Sequence, residues 1–307
     1  MDSPTAAVHR AAVLGSPIKH SLSPVLHSAA YEALGLHGWH YGMIECDEAG
    51  LPALVDSMGP QWAGLSLTMP LKRVAMAVAD AVSPLAQAVG AANTLVFPAV
   101  GSTGSRRAEN TDVAGMVSAL REAGLTRVDK AVILGGGGTA QSALAAVREL
   151  GHRSPVVLVR NLARTGELRE TADRLGMRPS VSGRLFDEPL PDADLVISTL
   201  PGGAADSLSG TRWKPDTTVL DVVYAPWPTR FAASALAVGC PVVSGLTVLL
   251  HQAVAQVELM TGRPGPVEAM RTALAMAMDA PASRVGDMTA AAVESDPAMK
   301  PWRVTRG

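Results

Sequence analysis

The sequence predicts an α/β protein of two domains. Three observations carry that expectation. The chain has 307 residues, more than one domain usually holds. Short apolar runs alternate with helical patterns in both halves. The apolar run Val132-Ile133-Leu134 stops at Gly135-Gly136-Gly137-Gly138, and an Ala-rich helical stretch follows from Gln141 to Leu150. That last pattern is strand, tight turn, helix.

Composition narrows the classes. Hydrophobic residues make up 48% and charged residues 18%, a soluble globular profile. A net charge of −2 offers no electrostatic footprint for nucleic acid or an anionic membrane. Aromatics are only 4%, too few for a base-stacking surface. The two cysteines, Cys46 and Cys240, lie far apart without metal spacing, which fits a reducing cytoplasm. Residues 1–10 lack the apolar region of a signal peptide. The most apolar stretch, Val242 to Met260, is interrupted by His251, Gln252, Gln256 and Glu258, so no membrane span is expected.

After a loose tail of nine residues, Ala11 to Leu14 reads as a buried strand ended by Gly15-Ser16-Pro17. Ser23 before Pro24 suits a helix start, because proline fits the first helical position. A helix is expected over Val25 to Leu36, a strand over Trp39 to Cys46 and a helix over Ala49 to Met58. A strand over Ala63 to Met69, a helix over Leu71 to Val82 and a strand over Asn93 to Pro98 follow, then a Gly/Ser/Arg turn at Gly101 to Arg107. This alternation predicts a largely parallel sheet. Thr111-Asp112 is a cap for a linking helix over Val113 to Ala123. The second series has strands at Ala131, Val156 to Val159, Leu195 to Ser198, Val219 to Val223 and Pro241 to Val243. Its helices are Leu162 to Leu175 and Phe231 to Val238. Two last helices, about Leu246 to Thr261 and Pro266 to Ala280, return to the first domain. The expected division is 1–114 completed by 245–280, a Rossmann-type domain over 115–244, and a peripheral tail over 281–307. Met270, Met276 and Met278 stand at helical spacing and are expected in the core.

Several residues suit chemistry, each beside a plainer reading. The glycine run, spaced G-x-G-G-x-A, lets backbone approach a phosphate at a helix start with free N–H groups. The alternative is a turn without a ligand. Where an NAD site carries Asp or Glu at the end of the next strand, this chain offers Arg160 and Arg164 around Asn161. Two guanidinium groups suit a 2′-phosphate and favour NADP, unless both are solvated surface arginines. Ser21 and Ser23, hydroxyls two apart in a turn, either meet one carboxylate or cap the helix. Lys72, soon after a strand end, is a proton donor or a surface lysine. Asn110-Thr111-Asp112 is a polar cluster or a cap, and Asn93-Thr94 opens a strand. His20, His27, His37, His40 and His251 show no metal spacing, so no metal is expected.

Taken in order, these motifs resemble the shikimate dehydrogenase family over about residues 11–280. The carriers are Gly15-Ser16-Pro17-Ile18, Ser21-Leu22-Ser23-Pro24, Leu67-Thr68-Met69-Pro70-Leu71-Lys72, Ala92-Asn93-Thr94-Leu95 and Glu109-Asn110-Thr111-Asp112. The glycine loop, Arg160 to Arg164, Asp221-Val222-Val223-Tyr224, Gly245-Leu246 and His251-Gln252 complete the order. The resemblance implies reversible NADP-dependent oxidation of shikimate to 3-dehydroshikimate, in aromatic amino-acid biosynthesis, by a cytoplasmic monomer or homodimer. By the same likeness Ser21 and Ser23 hold the substrate carboxylate. Ser66, Thr68, Asn93, Asp112 and Gln252 meet ring hydroxyls with Tyr224 nearby, and Lys72 with Asp112 forms the catalytic pair. The cofactor residues it implies are Gly135, Gly136, Gly137, Gly138, Thr139, Arg160, Asn161, Arg164, Thr199, Val222 and Gly245. Two departures bear on the substrate. Ser66 stands where many family members carry Asn, and Thr247-Val248 replace the usual Gly-Met. The rival readings are a paralogue acting on quinate or aminoshikimate, and a non-catalytic NADP binder.

Overall fold

The computed structural model describes residues 8–99, 104–186 and 189–279. The expected tail over 281–307, residues 1–7 of the expected loose N-terminal tail and residues 101–103 of the Gly101 turn lie outside the described residues. Contacts gather the rest into two compact units. One takes described residues from 1–87, 91–111 and 253–307, the other 88–90 and 112–252.

The first unit opens with β1 (His9–Gly15), α1 (Ser23–Ala33), β2 (Trp39–Glu45), α2 (Leu51–Asp56) and β3 (Trp62–Leu67). Then come β4 (Ala81–Val82), α3 (Pro84–Val89), β5 (Thr94–Val96) and β6 (Arg107–Glu109). The sheet order is β2-β1-β3-β5-β6-β4. The central strand β1 is covered on both faces, so its apolar run is continuous rather than alternating. Ala11 and Val13 pack with Ile18, Tyr31, Tyr41 and Met260. Ala12 and Leu14 pack on the other face with Leu51, Leu65, Leu71 and Leu95.

Three expectations change here. The sheet is mixed, because β5 runs antiparallel to β3 and β6. Only residues 97–106 separate β5 from β6, too few for the helical crossover a parallel pair needs. The helix expected over Leu71 to Val82 is a single 3-10 turn, Val74–Met76, followed by β4. Flanking Pro70 and Pro84 bound the segment, and Leu71 and Ala75 are buried without a longer helix. Ser23 lies inside α1, whose cap position is Leu22, a residue that makes no side-chain cap bond.

The second unit opens with α4 (Asp112–Glu122) and β7 (Ala131–Leu134). It continues through α5 (Gly138–Glu149), β8 (Val156–Leu158), α6 (Gly166–Arg174), β9 (Ser180–Ser182) and β10 (Leu195–Ser198), then β11 (Thr218–Asp221), α7 (Arg230–Leu236) and β12 (Val242–Ser244). All six strands are parallel, in the order β12-β11-β10-β7-β8-β9. The order reverses between β7 and β10, which is where open α/β sheets bind ligands. Two helices close the described chain, α8 (Gly245–Thr261) and α9 (Val267–Asp279), the latter packed on α1. The buried stripe of α9 is Met270, Leu274 and Ala277, at i, i+4 and i+7. Met276 and Met278 are exposed on its other side, against the expectation that all three methionines are core.

Candidate active site

In the second unit a cleft of about 840 Å³ opens where the strand order reverses. Gly135, Gly136 and Gly137 form one wall, and Thr199 follows β10 on the other. Gly135 has φ +111°, and a Cβ there would overlap the Thr199 hydroxyl, so only glycine fits. Thr199 donates from Oγ1 to the Leu134 carbonyl at 2.8 Å, tying the two strand ends together. Nothing lies within 4 Å of where a Cβ would stand on Gly137 or Gly138. Gly137 caps α5 in extended conformation with no side chain covering the first turn, and Thr139 is exposed there. That combination of open backbone, room and a bare helix start is what a pyrophosphate requires. The third place of the fingerprint is Ala140, on the buried face of α5.

Arg160, Asn161 and Arg164 line the same cleft, all exposed. Asn161 accepts at Oδ1 from the Ala163 N–H at 2.9 Å, which fixes the turn that presents both arginines. The donor set fits a phosphorylated dinucleotide. Val222 and Gly245 do not line this cleft. They lie against each other, and a Cβ on Gly245 would overlap the Val222 carbonyl.

The Asp221 carboxylate anchors the loop that carries Val222 and Tyr224. It accepts from Thr229 Oγ1 at 2.7 Å and from the Val223 N–H at 3.2 Å. Burial raises its pKa against those hydrogen bonds, which lower it. Thr229 also accepts from Ala232 N and so caps α7. Tyr224 is half-buried on this loop. Elsewhere in the unit Asp112 opens α4, and Gly115 lies one turn later on the same face. A Cβ on Gly115 would stand 2.8 Å from Gln252 Cβ, so α4 and α8 meet through that glycine.

In the first unit the candidates cluster at the carboxyl ends of β1 and β3. Backbone bonds pin the loops together: Thr68 N to Leu14 O at 2.9 Å, Ser16 N to Met69 O at 3.0 Å, and Ala92 N to Lys72 O at 2.7 Å. Lys72 is thereby held beside the strand end that carries Asn93. Ser21 is half-buried and accepts from the Ser23 N–H at 3.3 Å, and Ser23 is buried. Thr68 and Lys72 are half-buried, whereas Ser66 and Asn93 are buried.

Beneath these residues runs a cluster of buried polar side chains. Tyr41 Oη donates to Ser66 Oγ at 2.6 Å, and Ser66 donates to Gln256 Oε1 at 2.7 Å. Gln256 Nε2 donates to the Asn93 carbonyl at 3.2 Å and to Thr94 Oγ1 at 3.0 Å. His27 Nε2 lies 3.3 Å from Gln256 Oε1, with its ring stacked on Tyr41 at 3.9 Å. Burial holds the His27 pKa down at about 3, so the ring is neutral, and burial pushes the Tyr41 hydroxyl well above its usual range.

A family description, "Shikimate dehydrogenase substrate binding domain", matches residues 13–95, and "Shikimate 5'-dehydrogenase C-terminal domain" matches 245–275. A protein of Moorella thermoacetica named Shikimate dehydrogenase (NADP(+)) is 36% identical over 285 residues, covering 88% of this chain and 93% of that one. The chain belongs to the shikimate dehydrogenase family. A crystal structure of Mycobacterium tuberculosis shikimate dehydrogenase is 42% identical with a TM-score of 0.75, covering 87% of this chain and 99% of that one. A Thermus thermophilus shikimate 5-dehydrogenase in complex with NADP(H) and shikimate is 31% identical with a TM-score of 0.74, covering 88% and 99%. In both, a member of this family matches nearly whole.

Sequence reasoning about this shikimate dehydrogenase relative gave no site role to Gln256, His27 or Tyr41. The signal for Gln256 was there to read: a polar residue inside an apolar helix, one turn after Gln252. His27 and Tyr41 gave none, because an isolated histidine and tyrosine in amphipathic elements read as ordinary packing. Among the described residues no group of three or more His, Cys, Asp or Glu could hold a metal. None of the described helices is long and apolar enough to cross a membrane.

Proposed function

We propose that this chain catalyses the reversible NADP-dependent oxidation of shikimate to 3-dehydroshikimate. The observation that carries the reading is near full-length similarity to proteins named Shikimate dehydrogenase (NADP(+)). The geometry agrees with it. The glycine turn, the bare start of α5 and the Arg160–Arg164 pair suit NADP, with Arg160 and Arg164 on the 2′-phosphate and Gly136 to Thr139 around the pyrophosphate. Bound NADP supplies the hydride acceptor. Ser21 and Ser23 hold the substrate carboxylate, and Thr68, Asn93, Asp112 and Gln252 its ring hydroxyls. As the carbinol C–H leaves as hydride, its O–H proton passes to the Lys72–Asp112 pair and a carbonyl remains. We assign substrate binding to residues 1–114 with 245–280 and cofactor binding to 115–244, acting in the cytoplasm as a monomer or homodimer.

Ser66 favours a second reading, a paralogue acting on quinate or aminoshikimate, because a short hydroxyl replaces the amide many relatives carry. Reduced-nicotinamide formation with purified protein tests both, crossing shikimate and quinate with NADP and NAD. Turnover with shikimate and NADP alone supports the main reading. Turnover with NAD removes Arg160 and Arg164 from cofactor choice. NADP binding without turnover of either acid moves the assignment to the aminoshikimate paralogue or a non-catalytic binder.

A further inference from the structure

The buried polar cluster of the first unit has only one hydrogen-bond direction open to it. Two backbone groups set that direction. The Asn93 carbonyl only accepts, so the Gln256 atom facing it is the amide nitrogen. Gln256 Oε1 therefore faces Ser66 and His27, and both must donate. Ser66 has one proton and places it on Gln256, so Tyr41 must donate to Ser66, as the 2.6 Å contact is arranged. At the other end the Thr111 N–H only donates, and it meets Asn93 Oδ1 at 2.7 Å. Asn93 Oδ1 also accepts from Thr94 Oγ1 at 3.0 Å, and Asn93 Nδ2 donates to Thr111 Oγ1 at 2.9 Å. Neither amide can be reversed without setting donor against donor or acceptor against acceptor. His27 is held as the Nε2–H tautomer by the same rule, and its Nδ1 is buried without a partner.

We infer that Gln256 is a positioning residue of the substrate pocket: it fixes the polarity with which Ser66 meets a ligand and, through the Asn93 carbonyl and Thr94, holds in place the Asn93 side chain whose own polarity the Thr111 N–H sets. Ser66 has spent its proton, so it accepts from a ligand hydroxyl and cannot donate to one. Gln256 stands on α8, one turn beyond Gln252, and joins that helix to β3 through Ser66 and to β5 through Thr94. His27 and Tyr41 serve as its supports. His27 fills the second lone pair of Oε1, and its stacked ring holds the Tyr41 side chain. The assignment rests on the proposed function for what the pocket binds, but the polarity itself belongs to the unliganded protein.

The test uses the full chain with Gln256→Glu and Gln256→Met. Glutamate keeps the shape and the acceptor toward Ser66 but loses both donations from Nε2. Methionine fills the volume and loses every bond. In each, KM for shikimate should rise about tenfold or more while KM for NADP stays within twofold. Ser66→Ala should raise KM for shikimate in the native background and change it little beside Gln256→Met, since Gln256 acts through Ser66. In the ligand-free protein the ¹⁵N–H resonances of the Asn93 side chain should shift in both variants. A KM for shikimate within twofold of the native value, equal rises for both ligands, or unmoved Asn93 resonances in a folded variant would each overturn the assignment. Should the native protein fail to turn over shikimate, the proposed function falls and the Asn93 resonances alone decide the positioning role. Should Gln256→Met not fold, Gln256→Glu carries the same measurements.

Discussion

Gly115 and Gln252 meet backbone to backbone. A Cβ on Gly115 would lie 2.9 Å from the Gln252 nitrogen and 2.9 Å from the Val248 carbonyl, so the space is closed by main chain and not by a movable side chain. Gly115→Ala should raise the intrinsic helix propensity of α4 by about 1 kcal/mol. Overpacking against backbone costs typically about 1–3 kcal/mol, so the expected net is a loss of up to about 2 kcal/mol. Because α8 must move away, Gln252 moves with it, and kcat/KM for shikimate should fall about tenfold or more. Thermal unfolding and steady-state kinetics on the one variant check both, and a raised Tm would show that the two helices have slack.

Arg160 and Arg164 are exposed, and nothing in the sheet depends on them. Charge-assisted hydrogen bonds contribute about 1.5–3 kcal/mol each. Replacing both with Ala should therefore raise KM for NADP about a hundredfold or more, leave KM for NAD unchanged and leave Tm unchanged. Parallel titrations with the two cofactors measure it, and equal effects on both would place the arginines outside the phosphate site.

Lys72→Ala should lower kcat by about a hundred- to ten-thousandfold, the usual span of general acid–base catalysis. NADP affinity, read by fluorescence or calorimetry, should be unchanged, because the glycine cleft contains no part of the Lys72 loop. Turnover like the native protein's would remove Lys72 from the mechanism.

The buried His27 makes a pH prediction. Its pKa is held at about 3 in the folded chain, against 6.5 for an exposed ring. Between those pH values the unfolded chain binds a proton that the folded chain does not, so stability falls as pH drops through that window. The slope from this one group is at most about 1.4 kcal/mol per pH unit. Asp221, whose pKa is raised by burial, tilts the curve the opposite way, since the folded chain holds its proton longer. The quantity to measure is the difference between the native protein and His27→Gln in urea unfolding from pH 7 to 3.5. The variant should lack the His27 slope, and parallel curves would mean that the ring becomes charged without unfolding.

The sequence was most legible where one backbone constraint dominates. Strand Leu195–Ser198 and the turn at Gly135 follow from an apolar run and a glycine that nothing else can replace. The stretch after Pro70 misled because apolar residues at helical spacing also suit an irregular segment with two anchors, Leu71 and Ala75. Strand Arg107–Glu109 was invisible because its pairing with β5, not its own three residues, makes it a strand. Met276 and Met278 were misplaced because helical spacing names a stripe only relative to a known buried member; Met270, Leu274 and Ala277 supply it. The residues proposed to meet the substrate stand in motifs visible in the sequence, but the polar cluster beneath them does not. Tyr41, Ser66, Thr94 and Gln256 come from four distant stretches, and only the fold shows that they meet.

The bond from Gln256 to Asn93 spans 163 positions and that from His27 to Gln256 spans 229. The unit that leaves the ribosome first therefore waits for nearly the whole chain before its polar interior can close. The second unit draws its sheet from one continuous stretch and can assemble while synthesis continues. Loss of α8 by truncation would strand the unit made earliest, taking from the Ser66 hydroxyl, the Asn93 carbonyl and the Thr94 hydroxyl the bonds that Gln256 makes to them.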